Sequence, residues 1–156
     1  MKTPSIAEFV EAAKDYCEFV NSQSNSLEQA RNLLLRLIFH IPAIHSAQHK
    51  ADHKGERLPK DKTDQIMKRF SELDFDYYQM VFSPLEIDKE DEPVMGFLPD
   101  DLTDIYIDLH EGLGVYESGH QQDAYFDWSW SYKSHWGSHA INALKAIETY
   151  INENYA

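Results

Sequence analysis

Residues 121–152 read QQDAYFDWSWSYKSHWGSHAINALKAIETYIN, and two templates compete for them. Phe126, Trp128, Trp130 and Tyr132 alternate with polar residues, as a half-buried strand would. Ala124, Trp128, Tyr132, His135, Trp136 and His139 also share one helical face, which Ala140, Ala143, Leu144 and Ile147 prolong. A helical pattern sustained over that length outweighs a short alternation. The spacing therefore predicts one long helix from about Gln121 to Asn152, with a kink at Gly137.

Outward from that segment the remaining patterns are also helical. Ser5 with Glu8 three residues on is a capping box, followed by Ile6, Phe9, Val10, Ala13, Cys17 and Val20 at helical spacing, which predicts a helix over about Ser5 to Asn21. Ser26 with Gln29 repeats the device, and Leu27, Ala30, Leu34, Ile38 and Ile41 form the next stripe. Pro42 predicts a kink or break, with a second piece reaching Lys50. Asp52 to Asp61 reads as a polar loop, and Thr63 opens a third pattern through Ile66, Met67, Phe70 and Leu73. Residues 75–82 fit helix and strand equally. Ser83 to Pro99, with three prolines and a run of acids, reads as one long acidic loop. Pro99-Asp100-Asp101 opens a helix carrying Leu102, Ile105, Leu109, Leu113 and Tyr116, which Ser118-Gly119 stops. The expected fold is all-α: a single domain over 1–156, an irregular bundle of about five helices with a long C-terminal one.

Charge excludes several functions. Residues 1–75 carry 11 charges of each sign, so the whole formal charge of −13 falls on residues 76–156, which hold 16 acids and 3 bases. Such a surface repels phosphate, which argues against nucleic acid and against an anionic membrane as partners. Cys17 is the only cysteine, so no intramolecular disulfide forms and a reducing compartment fits best. The start of the chain meets Glu8, Glu11 and Asp15 at once, unlike a secretory leader, and Leu33 to Ile44 is too short and too interrupted to span a bilayer. The expected location is the cytoplasm.

Several runs resemble a known family: Val81-Phe82-Ser83-Pro84, then Asp101-Leu102-Thr103-Asp104-Ile105-Tyr106 with Asp108-Leu109, then His135-Trp136-Gly137 with His139 and Ala143-Leu144. Together, and with Tyr16 to Val20, they resemble an uncharacterised bacterial family catalogued as domain of unknown function 5063. The resemblance spans most of the chain. It implies an all-helical fold, in agreement with the helical reading of residues 121–152, and implies no activity or catalytic residue.

The candidate chemistry is sparse. Asp88, Glu90 and Glu92 imitate the start of a calcium loop, but Pro93 and Pro99 occupy the positions that need glycine and a bidentate glutamate. Gly112 and Gly114 begin a dinucleotide fingerprint that Glu117 ends, and close helix packing explains them better. Cys17 lies on the apolar stripe and reads as a core thiol. His45, His49 and His53 stack at four-residue spacing among cations, which disfavours a metal. His135 and His139, four apart on the long helix, form the better pair. Asp104 and Asp108 form another on the preceding helix, and two helices each giving such a pair is how metal sites in bundles are assembled. Against this, Asp101, Asp104, Asp108 and Glu111 form a stripe roughly 130° from the apolar one, the ordinary position of a solvated face. Of the dense aromatics, Trp128, Tyr132 and Trp136 take the core face, leaving Phe126 and Trp130 as a candidate partner surface.

No nucleophile, phosphate loop or strong ligand set is visible. The leading expectation is therefore a non-catalytic cytoplasmic adaptor or accessory domain that binds a protein partner through its acidic and aromatic surface. The alternative is a small metal-dependent enzyme with a His/Asp site between the last two helices. The sequence names no cofactor and no oligomeric state.

Overall fold

The computed structural model describes residues 2–46, 52–88 and 92–155. Helix α1 spans Ile6–Asn21, with the Ser5 side chain accepting the Glu8 N–H at 3.2 Å; α2 spans Leu27–His45, with Ser26 accepting from Gln29. Both capping residues are those the sequence picks out. Helix α2 runs through Pro42 to His45 instead of breaking there, because a proline one turn from the end forfeits little of the hydrogen-bond ladder. The continuation expected up to Lys50 lies outside the described residues. Helix α3, Lys60–Phe70, starts one turn earlier than Thr63, with Pro59 at its cap.

The acidic loop is shorter than expected. Strand β1, Tyr77–Met80, pairs antiparallel with β2, Val94–Phe97, in the register Tyr77 with Phe97 and Tyr78 with Gly96. Gly96, which reads locally as a strand breaker, lies under the Tyr78 ring, where a Cβ would come within 2.3 Å of Cζ. The hairpin delivers the chain to α4, Leu98–Glu117, which ends at Ser118 before Gly119 at φ 94°. From Gln121 to Asn154 the chain is one helix in three parts: α5, Gln121–Ser131, a π-helical turn, Tyr132–Trp136, and α6, Gly137–Asn154. With α1 to α4 this makes five helices and one small hairpin among the described residues. No helix among the described residues is long and apolar enough to cross a membrane.

The break at Gly137 takes the form of a π turn whose closing bond runs from the Gly137 N–H to the Tyr132 carbonyl. A side chain at 137 would put its Cβ 2.4 Å from that oxygen, so the turn requires glycine there. Helix α4 is the centre of the bundle, packed against α1, α3, α5 and α6. Trp128 and Trp136 are fully buried; the Trp128 indole donates to the Leu109 carbonyl and rests on Gly112, which confirms close packing at that glycine. The Tyr16 hydroxyl donates to the Leu102 carbonyl at 2.7 Å, joining α1 to α4. Cys17 is buried, and desolvation pushes its thiol up to about 12, as suits an inert core residue.

His40, 5% exposed, accepts the Ser5 N–H on Nδ1 at 3.0 Å, so its proton sits on Nε2, 3.3 Å from Glu8. Burial lowers its pKa, Glu8 partly opposing. A histidine less basic when folded binds fewer protons than when unfolded, so its contribution to stability is lost as pH falls below the unfolded value of ~6.5. His40→Asn, whose amide oxygen can accept the same N–H, is expected to lose less stability than the native protein between pH 7 and 5. Urea unfolding at each pH measures the difference; parallel losses would contradict the assignment.

Candidate metal centre

On α4, Asp101, Asp104 and Asp108 follow one another at spacings of three and four, so their carboxylates line one face. That face is not solvated, contrary to the expectation for the acidic stripe. It packs against the π turn and the first turn of α6, and Asp101 and Asp108 are buried. His135 comes from the π turn and His139 from the start of α6, their rings edge to face at 4.9 Å.

Each imidazole is held from behind. The His135 Nδ1–H donates to Asp108 Oδ2 at 2.7 Å, and the His139 Nδ1–H donates to Asp101 Oδ1 at 2.6 Å. Both Nε2 atoms consequently face forward onto one oxygen: Asp104 Oδ2 lies 3.2 Å from His139 Nε2 and 3.6 Å from His135 Nε2. Two ligand atoms bound to the same ion at 2.0–2.2 Å lie about 3.0 to 3.4 Å apart in octahedral or tetrahedral geometry. The three ligand atoms lie within 4.8 Å of one another, close enough to share one ion. A carboxylate behind each imidazole is how metal-ligating histidines are fixed in tautomer and orientation.

The electrostatics favour an added cation. Burial, and next the neighbouring Asp100, raise the pKa of Asp104, although His139 and His135 pull it down; burial likewise raises Asp108. The hydrogen bond to Asp101 raises His139 above its ordinary value. On α5, burial followed by repulsion from Glu111 and Asp108 pushes Asp127 up to about 6. Burial is the largest cause at each of these three carboxylates. Tyr78, on β1, donates its hydroxyl to the second oxygen of Asp101, so the hairpin fixes the carboxylate that fixes His139.

All four predicted residues, His135, His139, Asp104 and Asp108, thus meet in one place, with Asp104 facing both rings and Asp108 behind one. Asp101, its mate behind His139, appeared in the sequence only as part of the stripe. Tyr78 carried no signal beyond its place in an ambiguous segment. The other candidates lie elsewhere. His45 contacts Ser129 at 2.7 Å and the Tyr132 ring, a core-edge position. His49 lies outside the described residues. His53 donates to Asp123 at 2.5 Å and stacks on His120 at 3.4 Å. Trp130 is 63% exposed and stacks on half-buried Phe126 at 6.5 Å.

Residues 2–152 match the family model described as Domain of unknown function (DUF5063). The crystal structure of protein BF1032 from Bacteroides fragilis is similar over 97% of this chain and 92% of that one, with a TM-score of 0.75 and 18% identity. That likeness is one of fold. No curated protein matches the chain.

Proposed function

We propose, for a chain that belongs to the DUF5063 family, a small metal-dependent enzyme whose mononuclear centre is His135 Nε2, His139 Nε2 and Asp104. One observation carries the reading: both Nε2 atoms converge on the Asp104 carboxylate while separate carboxylates, Asp108 and Asp101, hold both Nδ1 atoms. Two imidazoles and one carboxylate suit zinc, manganese or iron(II), and three protein ligands leave positions for water or substrate. Such an ion supplies a nucleophilic hydroxide near neutral pH or polarises a substrate oxygen. The chain's own contribution is orientation. Asp108 and Asp101 keep the lone pairs aimed, Tyr78 holds Asp101, and the partly exposed His135 leaves an open side to solvent.

The test is elemental analysis of tag-free protein, with melting measured on addition of zinc or manganese. One equivalent of metal is expected in the native protein and none in His135→Ala or His139→Ala. Asp101→Asn and Asp108→Asn are expected to weaken binding by about 10 to 100-fold without abolishing it. A metal-free protein whose melting point neither ion raises would sink the enzyme reading and leave the network as a structural one.

The adaptor reading keeps one specific support, the exposure of Trp130 beside Phe126. Trp130→Ala is expected to leave the melting temperature within about a degree or two, since surface substitutions usually stay within ±0.5 kcal/mol. A large loss would show that the ring serves the fold and remove that support.

A further inference from the structure

The free edge of β1 borders a groove that holds none of the proposed metal ligands. Its volume is about 680 Å³, with Tyr77 to Val81 on one side and Asn142, Lys145, Thr149 and Glu153 of α6 on the other. A strand that offers a face to a groove contributes alternate residues; here all four residues of β1 contribute, with Val81 just beyond it, so the strand offers its edge. Among the described residues β1 pairs with β2 alone. The Leu98 N–H donates to the Asp76 carbonyl at 2.7 Å, which fixes the antiparallel alternation. Tyr78 and Met80 therefore exchange backbone bonds with β2, while Gln79 turns its N–H and C=O toward the groove.

We propose that this groove binds an extended peptide segment of a partner protein as a third strand beside β1. Backbone bonds to Gln79 supply the register, and the aromatic and apolar lining of Phe75, Met80 and Tyr150 takes alternate side chains. The ends of the groove are charged oppositely. Lys145 is one of three bases after residue 75 and has no ion pair among the described residues. Glu153 lies two turns farther along the same face of α6, about 12 Å at 1.5 Å per residue. Four residues of strand span about 13 Å. The ligand is thus an apolar tetrapeptide stretch with an acidic residue at the Lys145 end and a basic one at the Glu153 end. The groove shares Tyr78 with the network behind His139 but contains none of the three proposed metal ligands.

The probe is a displayed library of eight-residue peptides, panned against the full chain kept in chelator so that metal plays no part. Enriched peptides should alternate apolar residues and carry opposite charges at the two ends. Hydrogen exchange of the best synthetic peptide's complex should show new protection at the Gln79 amide. Gln79→Pro removes that N–H at a position where β2 does not need it and proline is tolerated on an edge. It should weaken the peptide at least tenfold with melting unchanged, and Lys145→Glu should reverse the charge preference at its end. The proposal is overturned if no sequence pattern enriches, if enriched peptides bind Gln79→Pro equally well, or if the protein sediments as a dimer that Gln79→Pro dissociates. The last result would give the edge to a second copy. Should Gln79→Pro fail to fold, Lys145→Glu and the exchange measurement still decide the matter.

Discussion

Trp128→Ala is expected to cost roughly 3 to 5 kcal/mol, the range for deleting a large buried aromatic. The ring is fully buried and meets Phe9 of α1 edge to face at 5.3 Å. Its N–H satisfies the Leu109 carbonyl of α4, and Gly112 gives it room. Its removal leaves a cavity where three helices meet, and because the Leu109 carbonyl keeps its partner within α4, the cavity carries the cost. Against a total stability of about 5 to 15 kcal/mol, that is roughly a fifth or more. With a urea slope near 2 kcal/mol/M the midpoint should fall by about 2 M. A loss below 1 kcal/mol would mean that the core had closed around the gap, and would place the bundle's centre elsewhere.

Metal affinity is expected to collapse with acid. Neutral imidazole nitrogens bind the ion, so below the histidine pKa each ligand must shed a proton first. Two histidines then cost about a hundredfold in affinity per pH unit once both are protonated. The direction at His139 sharpens this: Asp101 raises its proton affinity, so competition there starts at higher pH than for a free imidazole. Titration with zinc at pH 8, 7, 6 and 5 measures the slope. Affinity independent of pH would exclude imidazole ligands and refute the proposed centre.

The sequence exposes whatever is local and hides whatever depends on which faces meet. Ser5 and Ser26 act through bonds three residues away, so both helix starts could be read directly. His135 and His139 could be paired by spacing alone. The acidic stripe of α4 could not be placed, because 130° from the apolar face is solvent in an isolated helix and becomes an interface only when the His pair covers it. Strand β2 was hidden for a similar reason: Val94 to Phe97 is four residues long, contains glycine, and is a strand only because Tyr78 crosses Gly96 from the other side. The π turn did leave a trace. Ala124, Trp128, Tyr132, Trp136 and Ala140 recur every four residues without a three, and at ~100° per residue such a series drifts about 160° off its face over 16 residues. Only a widened turn keeps its ends aligned.

That widened turn also separates chain length from helix phase. A π turn accommodates one residue more than the α-helix around it. Deleting a residue within Tyr132–Trp136 would let ordinary bonding resume with α5 and α6 still facing the core they face now, whereas a deletion a few residues away would rotate every later side chain by ~100°. The single tolerant point in this rod is the one that carries His135. Length variation here would erase the imidazole arrangement while sparing the bundle, which makes the proposed metal centre separable from the scaffold by the loss of one codon.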